Sequence, residues 1–301
     1  MIAERRSQGK GLTLKLLDWH ALQRSPDLLP ENRLDIRAGA AFAAGHLCGA
    51  ASLPVPDGAG DDRALAEALP AVLLPPRHEA LLVCGASPDA VGRVVDFLGR
   101  RGRARVHGAV LDGAGAPEGM WIAGGEGAVL WRPPAFLAEH VSLLPPPDAG
   151  PVVDLGCGGG RAAVWLAGRG YDVTGIDHLE DALAVARRLA RRSGVEPEWL
   201  RRDLSDPARV PAGPWAAALC FRYLERDLLR RLPDLLLPGG VAVVRTFRWI
   251  ADDARLPRRR YCLERGELLD IFPAPSWEIL RHVEDREDDG RPAAGVVARL
   301  L

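Results

Sequence analysis

Three glycines at alternate positions, Gly156, Gly158 and Gly160, lie between an apolar run typical of a strand and a run typical of a helix. Glycine lets a backbone adopt positive φ and approach a ligand closely. A dinucleotide fingerprint requires Gly or Ala where this chain has Arg161, and a P-loop requires a Gly-Lys-Ser/Thr run that is missing here. The loop therefore predicts a strand–turn–helix that cradles a ligand other than a pyrophosphate.

Carboxylates accompany the ends of three successive predicted strands. Asp154 comes just before the loop, Asp177 ends the next strand, and Asp203 follows the third. Such a set opposes an anionic cofactor and favours a cationic one, such as S-adenosylmethionine. We expect Asp154 to face the ammonium side, Asp177 to accept the ribose hydroxyls as the acid of a dinucleotide fold does, and Asp203, with the N–H of Leu204, to meet the adenine.

Strands and helices alternate in two separate stretches, which predicts two α/β domains with parallel sheets. Residues 1–115 form the first domain, residues 151–301 the second, and residues 116–150 a Pro/Gly-rich linker that contains one helix. Residues 277–283 and 293–300 predict an antiparallel pair that closes the second sheet. The length of 301 residues suits two domains.

Charge and cysteine content exclude several classes of protein. The net charge of −1 provides no global attraction for nucleic acid. The five cysteines form no C-x-x-C pair, so neither a disulfide framework nor a zinc site is expected, and we expect no metal. No signal peptide or membrane span is predicted. The expected location is the cytoplasm, and the sequence leaves the oligomeric state open.

The second half resembles the class I S-adenosylmethionine-dependent methyltransferase family in the runs VVDLGCGGG (152–160), GYDVTGID (170–177) and LPGGV (237–241). The runs FRYL (221–224), RTF (245–247) and YCLERGEL (261–268) resemble its tellurite-resistance-type branch. The resemblance implies a doubly wound, Rossmann-like fold. It also implies S-adenosylmethionine as cofactor and a set of cofactor-binding residues: Asp154, Gly156, Gly158, Gly160, Asp177 and Asp203. Three further residues are expected to border the cofactor: His178, Leu204 and Phe221.

The first half resembles the rhodanese-like domain in DIR (35–37) and in FAAGHLCGAASLP (42–54). Active members carry a cysteine in the loop after a central strand, where the thiolate is stabilised. The corresponding run here is LVCGASPD (82–89), which puts Gly85 in the catalytic position and Cys84 one residue early. Strand alternation then directs Cys84 to a sheet face. The domain is expected to be catalytically inactive; sulfur transfer by a Cys84 persulfide is the alternative.

The residues that act on the methyl acceptor are not evident from the sequence. Candidates follow the fourth strand of the second domain, at Phe221, Arg222 and Tyr223. Tyr261 is a further candidate, and Arg245, Arg248 and Tyr261 together predict an anion-recognising rim. His178 and His140 are candidate bases if the nucleophile is oxygen or nitrogen.

The resulting interpretation is a methyltransferase that acts on a small molecule and carries a rhodanese-like module. A thiol or a chalcogen oxyanion is the suggested acceptor, since a soft nucleophile needs no dedicated base. RNA or protein as the acceptor, sulfurtransferase activity and a pure binding role remain alternatives, because a fold does not fix a substrate.

Overall fold

The chain divides into two compact units, Met1–Trp131 and Arg132–Leu301. The computed structural model describes residues 4–6, 13–24, 28–125, 127–251 and 253–301. The rhodanese-like resemblance covers about residues 12–115, and Leu12, at its start, lies outside the described residues. The division falls inside the stretch that the sequence predicts as a linker, so residues 116–131 belong to the first unit and residues 132–150 to the second.

The first unit contains short strands and helices. Its elements in chain order are β1 (Glu4–Arg6), β2 (Thr13–Lys15), α1 (Trp19–Arg24), β3 (Arg33–Asp35), α2 (Gly39–Ala44), β4 (His46–Leu47), β5 (Ala50–Ser52), α3 (Asp62–Ala68), β6 (Leu81–Gly85), α4 (Pro88–Arg100), β7 (Val106–Val110) and β8 (Trp121–Ile122). A parallel sheet has the strand order β5-β3-β6-β7. Two further pairs of short strands, β1 with β2 and β4 with β8, are antiparallel.

The second unit is built on a doubly wound sheet. Its elements are α5 (Ala135–His140), β9 (Val152–Leu155), α6 (Arg161–Ala167), β10 (Val173–Asp177), α7 (Glu180–Arg192), β11 (Glu198–Arg201), β12 (Trp215–Phe221), α8 (Arg226–Arg230), β13 (Leu236–Phe247), α9 (Glu267–Ile271), β14 (Trp277–Arg286) and β15 (Pro292–Leu300). The seven strands of the sheet lie in the order β11-β10-β9-β12-β13-β15-β14. Strands β9 to β13 pair in parallel, whereas β15 runs antiparallel to β13 and β14. The predicted closing pair is confirmed.

The direction of winding reverses between β9 and β12, which lie side by side although β10 and β11 separate them in the chain. From β9, the chain continues through β10 to β11 at one edge of the sheet. From β12, it continues to β13 toward the other edge. Helices diverge at such a switch point and leave a crevice beyond the carboxyl ends of the strands. The glycine loop follows β9 and therefore opens into this crevice.

The core of the second unit consists of two apolar layers, one on each face of the sheet. Along β9, Val153 and Leu155 join one layer and Val152 joins the other. All four residues of β9 are buried, and so are all five of β10. Continuous apolar runs are typical of parallel strands that are covered on both faces, and this pattern made the central strands recognisable in the sequence.

The sequence pattern predicts helices over 63–74 and over 226–237, and both are shorter in the structure. The first helix ends at Ala68 and the second at Arg230. Proline follows closely in each case, at Pro70 and Pro233, and a 3-10 turn replaces the continuation. Proline removes the backbone donor that a helical hydrogen bond needs and disfavours helical geometry at the preceding residue.

A substitution inside β10 tests the packing of this sheet. A Cβ at Gly175 would lie 2.4 Å from the Trp199 ring and 3.2 Å from Cys157 Sγ. We expect Gly175→Ala to lower the free energy of unfolding of this unit by about 1–3 kcal/mol, as overpacked core sites do. Gly168→Ala is the control, because its Cβ meets only ordinary contacts at 3.5 Å. Chemical denaturation of both variants is the measurement, and equal stabilities would contradict the packing described.

Candidate functional site

The glycine loop is held in a conformation that residues with side chains rarely adopt. Gly156, Gly158 and Gly160 have φ values of +71°, +52° and +75°. A Cβ at Gly156 would lie 2.6 Å from the Tyr223 ring, and one at Gly160 would lie 2.5 Å from the Trp199 ring. A Cβ at Gly158 would meet no atom within 4 Å. The loop is therefore walled by aromatic rings at its two ends and open in its middle.

Asp154 lies beneath this loop with only 2% of its surface exposed. Burial raises the pKa of its carboxyl group to about 7, and the negative charge of Asp177 contributes in the same direction, against a hydrogen bond from the Ala163 N–H. Its Oδ2 has no hydrogen-bond partner among the described residues. A buried acceptor left unsatisfied is costly, and a donor from a cationic ligand, directly or through water, would satisfy it.

Asp177, the last residue of β10, is hydrogen-bonded to the loop that follows β9. Its Oδ2 accepts a hydrogen bond from the Gly158 N–H at 2.9 Å, and its Oδ1 accepts one from the Leu179 N–H at 2.9 Å. An ionised carboxylate offers about four acceptor positions, so each oxygen retains capacity for a ligand hydroxyl. Asp177 thus has the position and chemistry expected for a ribose contact, and it also fixes the loop itself.

The remaining expected cofactor neighbours surround the same edge. Asp203 is exposed, and its Oδ1 accepts hydrogen bonds from the Ser205 hydroxyl and N–H, which lower the pKa of Asp203. His178 is exposed, with Nδ1 3.6 Å from Asp177 Oδ1. Leu204 is buried in the core, and Phe221 is half-buried against the other apolar layer. Asp177 thus bonds directly to the loop, Asp154 lies close enough for its pKa to respond to the charge of Asp177, and Asp203 and His178 are exposed.

Arg222 and Tyr223 form the turn after β12, beside the glycine loop. Burial raises the pKa of the Tyr223 hydroxyl, and the charge of Glu225 adds to this. Arg222 is the one described non-glycine residue with positive φ, at +57°. Its guanidinium bonds to Glu287 Oε2 at 2.8 Å. Tyr223 thus lies against the glycine loop, and the role of these two candidates toward a methyl acceptor stays a prediction.

The predicted anion-recognising rim is wrong for Arg245. Arg245 is buried, and its guanidinium donates to Glu287 at 2.7 Å and to Asp285 at 2.8 Å. These two acids lie about 40 residues further along the chain, so local sequence patterns could not reveal them. Arg248 Nε lies 3.8 Å from Glu284 and has no hydrogen-bond partner among the described residues, so its role toward an anion stays a prediction. Tyr261 is exposed and contacts Arg260 through its hydroxyl.

Sequence reasoning missed two residues of this edge. The Trp199 ring, from β11, closes over Gly160 and Gly175, and Glu287 binds both Arg222 and Arg245. A glycine inside a strand indicates a close approach by a neighbouring group, so Gly175 carried a signal for a bulky neighbour. Nothing in the sequence pointed to Glu287.

The first unit contains an open cavity of about 730 Å³ at the carboxyl ends of β6 and β7. Cys84 does not line it; the thiol is buried among apolar residues, and burial raises its pKa to about 12. A Cβ at Gly85, the position of the expected nucleophile, would lie 2.7 Å from Val91 and 3.2 Å from Ile36. The cavity is lined by Asp18, Trp19, His20, Gln23, Arg37, Ala41, Gly85, Ala86, Val110, Leu111, Asp112, Ala114 and Gly115.

Comparison with known proteins identifies the domain that contains the glycine loop. Residues 152–240 match the family described as "Methyltransferase domain". The chain is 36% identical over 94 residues to a ubiquinone biosynthesis O-methyltransferase of Cronobacter sakazakii, covering 30% of this chain and 39% of that protein. It is 35% identical over 119 residues to one of Marinobacter nauticus, covering 37% of this chain and 48% of that protein. The chain thus spans less than half the length of these two relatives.

Solved structures with similar folds cover slightly more than half of the chain. One is TehB from Haemophilus influenzae, with 21% identity, a TM-score of 0.45 and coverage of 55% of this chain and 61% of that one. Another is a magnesium protoporphyrin IX methyltransferase from Synechocystis with bound SAM, with 19% identity, a TM-score of 0.42 and coverage of 56% and 76%. The prediction of a methyltransferase domain is confirmed for residues 152–240, which match that family.

Within the described ranges, no helix is long and apolar enough to cross a membrane. The same part of the chain contains no group of three or more His, Cys, Asp or Glu side chains arranged to hold a metal ion.

The raised pKa of Asp154 predicts a pH dependence of stability. Between pH 3.8, the ordinary pKa of an aspartate side chain, and about pH 7, Asp154 in the folded unit keeps a proton that it has lost in the unfolded chain. Stability therefore falls as pH rises through this window and levels off above pH 7. We expect the thermal midpoint of the wild type to fall from pH 5 to 7 more steeply than that of Asp154→Asn. Parallel curves for the two proteins would show that another group is responsible.

The buried thiol of Cys84 predicts slow alkylation. With a pKa of about 12, almost none of the reactive thiolate is present at neutral pH. Partly exposed Cys48 in the same unit is the internal comparator. Iodoacetamide treatment followed by peptide mass spectrometry should label Cys48 well before Cys84 in the native protein and both equally in denaturant. Rapid native labelling of Cys84 would contradict this burial.

Proposed function

We propose that this chain is an S-adenosylmethionine-dependent methyltransferase that acts on a small-molecule acceptor. The observation that carries the proposal is the joint geometry of Asp154 and Asp177 at the switch point of the sheet. Asp154 is buried and has a carboxyl oxygen without a hydrogen-bond partner among the described residues, and Asp177 accepts a hydrogen bond from the Gly158 N–H in the loop. Clustered acidic groups at this edge suit a net cationic ligand.

The proposed roles follow from position. Asp154 provides negative charge for the amino group, and the loop from Gly156 to Gly160 provides backbone N–H groups for the carboxylate. Asp177 accepts the ribose hydroxyls, and Asp203 with Leu204 meets the adenine, beside His178. When bound, S-adenosylmethionine supplies a methyl group on a sulfonium, and the chain's contribution is to hold the acceptor near it.

The acceptor is proposed to enter beside Arg222 and Tyr223, where the chain leaves β12. Phe221 and Tyr261 are the further candidates for this side. The matched relatives are named O-methyltransferases, which supports a small-molecule acceptor here. More specifically, we propose a thiol or a chalcogen oxyanion as the methyl acceptor, because parts of the chain resemble the tellurite-resistance-type branch. A methyl-transfer screen with catechols, thiols, selenite, tellurite and tRNA separates these acceptors, and transfer to tRNA alone would refute the small-molecule proposal.

For the first unit we propose a rhodanese-like module that does not transfer sulfur. The burial of Cys84 and the filled space at Gly85 support an inactive module. A thiosulfate:cyanide assay on the wild type and Cys84→Ala tests this. Activity that disappears in the variant would instead establish Cys84 as a persulfide carrier.

Calorimetry with S-adenosylhomocysteine tests the central proposal. We expect wild-type binding, and a loss of at least about tenfold in affinity for Asp177→Asn, because a hydrogen-bonded acceptor for the ribose is lost together with the fixed loop. Asp172→Asn is the matched control, an exposed acid just before the other end of the same strand. No binding to the wild type would refute the cofactor proposal; unchanged binding to Asp177→Asn would refute the ribose assignment.

A further inference from the structure

The turn between β14 and β15 contains a carboxylate that holds two arginines of neighbouring strands. Glu287 Oε1 accepts a hydrogen bond from Arg245 at 2.7 Å, and Oε2 accepts from Arg222 at 2.8 Å and 3.2 Å. Its side chain is 12% exposed, that of Arg245 is 10% exposed, and that of Arg222 is 53% exposed. Glu287 is therefore a mostly buried bridge between β13 and the turn after β12.

This bridge lies at the carboxyl edge of the sheet. Strand β15 runs antiparallel to β13 and begins opposite its last residues, so that Ala293 pairs with Phe247. The turn that precedes β15 consequently lies beyond the end of β13. That is the edge at which the glycine loop leaves β9 and Arg222 follows β12.

Arg222 is held in an unfavourable backbone conformation. Its φ of +57° is in the left-handed region, which costs energy for any residue with a Cβ. Two contacts oppose this cost, the N–H bond to the Arg245 carbonyl at 2.8 Å and the guanidinium pair with Glu287. Strain of this kind persists only where surrounding contacts enforce it.

The enforced turn determines where Tyr223 lies. The chain leaves β12, reverses at Arg222 and brings the ring of Tyr223 against the first glycine of the loop, where a Cβ on Gly156 would meet it at 2.6 Å. A displaced turn at Arg222 would remove this wall from the loop. Arg222 thus influences the position of the loop through Tyr223.

We infer that Glu287 is a positioning residue of the methyltransferase site, which holds the left-handed turn at Arg222 and thereby keeps Tyr223 against the glycine loop. The inference rests on the proposed function. It assigns the hairpin turn between β14 and β15 to the cofactor site, although the turn lies outside the matched residues 152–240.

Variants of Arg222 give the cleanest test, since substituting Glu287 also leaves Arg245 buried without its partner, and such losses threaten folding. Arg222→Ala removes the ion pair and keeps the backbone cost, so the turn should shift. Arg222→Gly removes the same ion pair but suits positive φ. The two variants separate the position of the backbone from the presence of the guanidinium.

The experiment is calorimetric titration of the full chain with S-adenosylhomocysteine, with thermal unfolding of each variant. We expect Arg222→Ala to weaken binding about five- to tenfold and Arg222→Gly to stay within about twofold of the wild type. The control is Arg230→Ala, an equally exposed arginine (55%) paired with Asp227, which should bind as the wild type does. Because glycine at positive φ also spares stability, binding is titrated well below the unfolding transition of each variant, where a general loss of stability does not change affinity.

A second comparison establishes the route through Tyr223. If Arg222 acts through this ring, Arg222→Ala combined with Tyr223→Ala should weaken binding no more than Tyr223→Ala alone, because the two effects are not independent. Additive losses, wild-type affinity in Arg222→Ala, or an equal loss in Arg222→Gly would each overturn the inference. Absence of binding to the wild type would instead refute the proposed function and is distinguishable from all three.

Discussion

The hydrogen bond between Asp177 and the N–H of Gly158 is the interaction on which the site in the second unit depends. The loop consists largely of glycine, so it has few side chains of its own with which to fix its conformation. The carboxylate at the end of β10 fixes it from outside, and with its other oxygen it anchors the start of the next helix at Leu179. One side chain therefore determines how two strand ends, a loop and a helix meet.

Charge is distributed unequally along the carboxyl edge of the sheet. On one side of the switch point, Asp154 and Asp177 have no arginine partner among the salt bridges of the described residues, and burial, with the charge of Asp177, raises the pKa of Asp154. On the other side, Arg222 and Arg245 are matched by Glu287 and Asp285. The edge thus has acids without basic partners where a cationic cofactor is proposed, and paired charges where an acceptor is proposed.

Sequence patterns predicted the parts of this structure that depend on neighbouring residues in the chain. The buried strands, the glycine loop and the carboxylates at strand ends follow from local apolar runs and turn chemistry, and the closing antiparallel pair was equally visible. The helices before Pro70 and Pro233 end earlier than predicted, although these prolines are themselves a signal for the end of a helix. Contacts between distant segments were not predictable: the Trp199 ring over Gly175 and the pairing of Glu287 with Arg245 depend on which strands become neighbours.

The register of β6 has a consequence for engineering the first unit. Because strand faces alternate, the sulfur of Cys84 belongs to the core, and the adjacent position at the mouth of the cavity is occupied by Gly85. Transplanting a thiol to position 85 would force its Cβ to within 2.7 Å of Val91 and 3.2 Å of Ile36. Introducing a nucleophile at position 85 would therefore require smaller side chains at Val91, on α4, and at Ile36 as well as the cysteine itself. The packing of the core thus opposes a gain of this activity by the substitution of Gly85 alone.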